Sequence, residues 1–197
     1  MSDNFFEKKL AGRTIDAIPG MIEFDIPVHG DNRGWFKENF QKEKMLPLGF
    51  PESFSKENKL QNNVSLSRKG VLRGLHAEPW DKYISVADSG RVLGSWVDLR
   101  EGASFGHVYQ TVIDASKGIY VPRGVANGFQ VLSDTVSYSY LVNDYWSLDL
   151  KPKYAFVNYA DPALGIEWDD VENAEVSEAD KNHPLLKDVV PLTKAQL

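Results

Sequence analysis

Tyr83-Ile84-Ser85-Val86-Ala87-Asp88-Ser89-Gly90-Arg91-Val92-Leu93-Gly94-Ser95-Trp96-Val97-Asp98-Leu99 is the stretch that decides the fold. Two short runs rich in β-branched and aromatic residues flank the breaker Asp88-Ser89-Gly90. That is the pattern of two strands joined by a tight turn. The same rhythm runs from Leu60 to Asp144. Further runs span 62–66, 108–113, 118–121, 128–132 and 136–142. Breaks fall at Arg68-Lys69-Gly70, Arg100-Glu101-Gly102 and Pro122-Arg123-Gly124. No long amphipathic helix interrupts them, so a doubly wound α/β sheet is disfavoured and an all-β sandwich or barrel is expected.

Outward from this centre the pattern weakens. Residues 21–28 alternate apolar and polar, as a strand does. His29 to Gly34 reads as a turn, and Trp35 to Phe40 resumes a strand. Residues 41–49 suit a short helix closed by Pro47 and Gly49, and Phe50 to Lys59 reads as loop. In the tail, Ser177-Glu178-Ala179-Asp180 has the form of a capped helix start with Ser177 as N-cap. One domain over residues 21–186 is expected, with an arm at 1–20 and a tail at 187–197.

The 197 residues are 42% hydrophobic, enough to bury one core. A net charge of −6 gives no basic field of the kind nucleic-acid binders carry. There are no cysteines, which removes disulfides, thiol nucleophiles and thiolate metal sites together. No apolar run approaches the roughly 20 residues of a membrane helix. The first residues lack the pattern of a secretory signal. A cytoplasmic protein is the expectation.

The chemistry concentrates between Gly70 and Lys82, where Arg73, His76, Glu78, Asp81 and Lys82 fall within thirteen positions. A strand needs none of them to form. His76 suits a general base if a carboxylate stands behind it. Strand periodicity turns Arg73 away from His76 unless a bulge intervenes. Lys82 suits a donor to a developing enolate oxygen. Tyr138 and Tyr140 share a strand face, so either could serve as an acid. Arg33 and Arg73 are candidates for a bidentate phosphate clamp, Arg123 lies in a Pro-Arg-Gly turn, and Trp35, Trp80 and Trp146 are candidates for stacking. The remaining histidines, His29, His107 and His183, read as solvated surface. A barrel metal site usually draws several histidines. Here His76-Ala77-Glu78 offers one, and Asn127 occupies the later position, so a metal centre is disfavoured. No phosphate-loop, dinucleotide or nucleophile-elbow motif is present.

Several motifs, in order, resemble one family. They are Asp31-Asn32-Arg33-Gly34-Trp35-Phe36, Gln61-Asn62-Asn63-Val64-Ser65, Gly70-Val71-Leu72-Arg73-Gly74-Leu75-His76 and Tyr120-Val121-Pro122-Arg123-Gly124-Val125-Ala126-Asn127-Gly128-Phe129. Val97-Asp98-Leu99-Arg100 with Phe105-Gly106, and Asp161-Pro162 to Trp168 followed by Ser177 to Asp180, complete the set. This set resembles dTDP-4-dehydrorhamnose 3,5-epimerase over roughly residues 20–186. The resemblance implies a metal-free cupin, a β jelly roll, assembled as a homodimer. It implies double epimerisation of dTDP-4-dehydro-6-deoxy-D-glucose, at C3 and C5, toward dTDP-L-rhamnose, with no cofactor. It places the base on His76, its carboxylate partner on Asp180, the lysine near the C4 oxygen on Lys82 and the acid on Tyr140. Nucleotide contacts fall on Arg33, Gln61, Asn63 and Arg73, with Arg33 supplied across the dimer. Asn127 stands where the family often has His, and Trp146 where it often has Tyr; both are carried as ligand contacts. Glu78 and Asp81 are expected to be bystanders. The alternatives are a single-site epimerase, a non-catalytic sugar-nucleotide-binding cupin and a metal-dependent cupin.

Overall fold

The computed structural model describes residue 6 and residues 8–55 and 58–197. In chain order the strands are β1 (Ala11–Thr14), β2 (Ile22–Asp25), β3 (His29–Asp31) and β4 (Gly34–Phe36), then β5 (Gln61–Arg68), β6 (Val71–Ala77), β7 (Lys82–Val86) and β8 (Val92–Asp98). They continue as β9 (Val108–Ile113), β10 (Lys117–Val121), β11 (Val125–Val131), β12 (Thr135–Val142), β13 (Ala155–Phe156) and β14 (Glu175–Val176). Two short helices are α1 (Lys42–Met45) and α2 (Glu178–Lys181). None of the described helices is long and apolar enough to cross a membrane.

The strands form two large sheets. One has the order β1-β2-β10-β7-β12-β5; the other runs β13-β6-β11-β8-β9, with β14 added beside β6. Neighbours in the first sheet come from distant parts of the chain, which is the connectivity of a jelly roll. The all-β expectation and the cupin-type jelly roll are borne out.

Alternation along the strands puts one apolar set between the sheets. Ile84, Ile119 and Val136 from the first sheet meet Val92, Trp96 and Phe129 from the second, each at most 4% exposed. At roughly 1.5–3 kcal/mol per fully buried large apolar side chain, this layer dominates cohesion. A second cluster backs the first sheet. Phe24, Phe50, Phe54, Tyr83 and Tyr120 pack there, bringing the segment after β4 onto the sheet. The helix expected at 41–49 is α1 followed by a 3-10 turn through Pro47. Gly49 ends it in the left-handed conformation, φ 99°, a geometry glycine adopts without steric cost.

β11 begins at Val125, three residues before the run visible in the sequence, because polar Asn127 lies within the strand. β1 pairs with β2 through Ala11↔Asp25 to Thr14↔Ile22, so part of the expected arm lies in the sheet. Behind that pairing, Glu23 is only 5% exposed and is met by Arg13, Lys117 and the Tyr109 hydroxyl. Burial alone would raise its carboxyl. The Tyr109 and Arg13 hydrogen bonds and the Lys117 charge bring it below the usual carboxylate range.

Candidate active site

A cavity of about 510 Å³ opens between the sheets. β6 and β11 line it from one side with Arg73, His76 and Asn127. β12 and β7 line it from the other with Tyr138, Tyr140 and Lys82. Asp180 closes one end, carried in from α2.

Arg73 and His76 share the cavity because β6 is bulged. Asn127 pairs with His76 and Phe129 with Arg73, so two steps on β11 span three on β6. The irregularity needs glycine on both strands. A Cβ on Gly74 would lie 2.6 Å from the Gly128 Cα and 2.8 Å from the Asn127 carbonyl oxygen. Gly74 also has φ 120°, where L side chains are strained. The exception that sequence periodicity left open is therefore the case.

His76 Nε2 lies 2.7 Å from Asp180 Oδ1. The carboxylate is fixed at its other oxygen by the Gly74 amide, which donates to Oδ2 at 3.3 Å. The Asp180 amide in turn donates to Ser177 Oγ at 3.1 Å, so the expected N-cap positions the residue. Burial would raise the Asp180 carboxyl. The hydrogen bond and charge of His76, with the Gly74 amide, instead hold it below the usual range. With Nε2 engaged by an anion, Nδ1 is the nitrogen left to accept a proton.

Lys82 is 4% exposed. Its ammonium pairs with Glu78 and donates to the Asn127 amide oxygen. It also stands 5.9 Å from the centre of the Tyr140 ring. Burial first, and the Glu78 charge second, raise the Tyr140 hydroxyl above its ordinary value, so it stays protonated at neutral pH.

Two sequence readings are corrected here. Glu78 is no bystander: it lines the cavity and holds the ammonium of Lys82. His183 is no solvated surface residue. Its side chain is 11% exposed, its ring stacks on Phe156 at 4.5 Å, and its Nε2 lies 3.8 Å from Asp180 Oδ1. The available signal was spacing, since three positions after Asp180 share one face of a helical turn. Asp81, by contrast, does not line the cavity. It accepts from the Arg123 and Asn143 side chains, which makes both it and Arg123 parts of the scaffold.

Other candidates lie outside the cavity wall. Gln61 and Asn63 are joined side chain to side chain on β5 at 2.8 Å, and Gln61 accepts from the Trp146 amide. Trp146 is 55% exposed. Arg33 sits in the β3–β4 hairpin, its side chain 85% exposed and paired with Asp31.

A family model described as dTDP-4-dehydrorhamnose 3,5-epimerase matches residues 16–188. An RmlC homolog of Streptococcus pyogenes serotype M6 is 78% identical over all of both chains. The solved structure of RmlC from Streptococcus suis in complex with dTDP-D-xylose superposes with a TM-score of 0.96 at 80% identity. It covers 98% of this chain and 100% of that one. The Legionella pneumophila RmlC, solved with dTDP-4-keto-L-rhamnose, gives 0.77 at 30% identity, with 92% and 94% covered.

Proposed function

The chain belongs to the dTDP-4-dehydrorhamnose 3,5-epimerase family, and from that premise we propose how its residues epimerise dTDP-4-dehydro-6-deoxy-D-glucose at C3 and C5. The observation that carries the reading is the pairing of His76, on one sheet of the cavity, with Asp180 from α2, opposite Lys82 and Tyr140 on the other sheet.

The C4 ketone acidifies the protons on its two neighbouring carbons. His76 Nδ1 removes one, while Asp180 orients the ring and stabilises the imidazolium that forms. Electron density moves onto the C4 oxygen, where Lys82 donates to the enolate. Tyr140 then protonates the carbanion carbon from the opposite face. Configuration inverts because base and acid belong to facing sheets. Acid–base groups of this kind contribute roughly a hundred- to ten-thousand-fold each. An enolate donor contributes about a hundred- to thousand-fold more. The reaction moves protons only, so it needs no redox cofactor.

Arg73, whose Nε donates to Ser67 Oγ at 3.3 Å, is assigned to the diphosphate. Gln61, Asn63, Asn127 and Trp146 are assigned to the rest of the nucleotide sugar. The chain is assigned as a cytoplasmic homodimer in which Arg33 reaches the partner's site. Support comes from the exposure of Arg33 and from two apolar residues on the outer face of β5, Val64 at 61% and Leu66 at 70% exposure.

Incubation of the keto sugar nucleotide with the protein in D2O tests the reaction. Deuterium at C3 and C5 with inverted product is expected. Label at one carbon only would mean a single-site epimerase, and no exchange by folded protein would leave a binding protein.

A further inference from the structure

His183 has no role in the proton transfers above, yet it is placed like a ligand. Its Nδ1 is buried without a hydrogen-bond partner, and its Nε2 lies beyond hydrogen-bond range of Asp180. The ring is nonetheless held. It stacks on Phe156, and Asn158 Nδ2 donates to the His183 carbonyl at 3.2 Å. One ligand atom each from His76, Asp180 and His183 lie within 4.8 Å of one another.

We propose that His76, Asp180 and His183 form an inhibitory site for a divalent transition-metal ion, with Zn2+ as the type case. Two imidazole nitrogens and one carboxylate oxygen suit zinc, cobalt, nickel or copper and not magnesium or calcium. Bonds of about 2.0–2.1 Å place tetrahedral ligands roughly 3.4 Å apart. The Asp180–His183 separation of 3.8 Å is already close to that. Metal entry replaces the 2.7 Å His76–Asp180 hydrogen bond, whose two atoms part to that spacing, and draws the His183 nitrogen inward. The Gly74 amide on Asp180 Oδ2 supplies one outer contact. The unpartnered Nδ1 of His183 lacks one, which makes the site weaker than a structural zinc centre.

The consequence for catalysis rests on the reading of His76 as base. The metal takes the Nε2 lone pair and displaces that nitrogen's proton. The neutral ring then carries its proton on Nδ1, the nitrogen that must accept one from substrate. Occupied protein binds metal and stops exchanging substrate hydrogen. Metal-free protein is the active form.

The test uses Co2+ and Zn2+ on the full-length protein, compared with His183→Asn. His183→Asn removes a ligand while leaving the base and its carboxylate in place. Co2+ titration should give one visible-absorbing, low-coordinate cobalt per chain in the wild type, and at least a tenfold weaker response in His183→Asn. Equal cobalt spectra in both, or none in the wild type, overturn the site. Zn2+ should suppress deuterium exchange reversibly, with chelator restoring it. The half-inhibiting concentration should rise at least tenfold in His183→Asn, whose metal-free exchange stays within about twofold of wild type. Inhibition unchanged by the substitution overturns the proposal. A normal cobalt response with undiminished exchange upholds the metal site and instead removes His76 as the base.

Discussion

Replacing Asp180 with Asn removes the charge behind His76 and almost nothing else. The side chain keeps its shape, but its two oxygens have different duties. One faces His76 Nε2 at 2.7 Å and the other accepts from the Gly74 amide at 3.3 Å. An amide has only one acceptor oxygen. If that oxygen stays on Gly74, the NH2 faces His76 and requires an acceptor there. The imidazole proton is then driven onto Nδ1, and the base is occupied. If the oxygen turns to His76, the NH2 points at the Gly74 N–H and two donors confront each other. The first arrangement avoids that clash and is the one expected. The analogous carboxylate-to-amide change in a serine-protease triad costs about ten-thousand-fold through the same tautomer error. For Asp180→Asn we expect kcat to fall by between about a hundred- and ten-thousand-fold, with little change in KM. The stability loss should stay below about 3 kcal/mol, the scale of one charged hydrogen bond. Deuterium exchange at C3 and C5 followed by proton NMR reads the first quantity, and urea unfolding reads the second. Exchange within about threefold of wild type would refute the assignment of Asp180 as the group that sets the tautomer of His76.

Three other expectations follow from the same geometry. Tyr140→Phe removes the acid and leaves the base, so deuterium should still enter at C3 and C5 while inverted product falls by at least about a hundredfold; loss of both in parallel would place Tyr140 in binding. Gly74→Ala drives a Cβ into backbone at 2.6 Å with φ at 120°. Overpacking and strain of this sort cost about 1–3 kcal/mol each, so urea unfolding should show a loss above about 2 kcal/mol together with collapse of activity; unchanged stability would mean the bulge does not need glycine. Glu23 has a folded-state pKa below its unfolded one, so its stabilisation is complete above the unfolded value near ~4.3 and is lost as pH falls through the lower folded value. The stability gap between wild type and Glu23→Gln should therefore shrink as pH drops from about 6 toward 3; a gap independent of pH would contradict the buried-carboxylate account.

The strands were legible because alternation and turn residues act locally. β8 and β9 begin where their apolar runs begin, at Val92 and Val108. The sequence singled out His76 and Lys82 by their chemistry, and both line the cavity; Tyr138 and Tyr140 line it together, and only the resemblance chose between them. Relations across the chain were not. No local signal shows that Gly74 and Gly128 abut and turn Arg73 to the side of His76. Glu78 looked idle because its role depends on Lys82 folding back toward it. His183 looked solvated because Phe156, which covers it, lies in a two-residue strand too short to announce itself. Asp180 came from resemblance alone; its distance from His76 in sequence defeats any local rule.

That distance, 104 residues, also imposes an order in time. Synthesis completes ten strands of the two facing sheets by Val142, with β13 and then β14 joining beside β6 afterwards. The carboxylate that arms the base emerges afterwards, on a helix of four residues. A chain cut before Ser177 keeps three of the four groups proposed to move or steady protons, but loses Leu186, Val189 and Leu192, which pack against Leu75, Val97 and Ala126. It lacks the fourth. On the proposed mechanism, then, the base gains its carboxylate only after the sheets that hold it have been made.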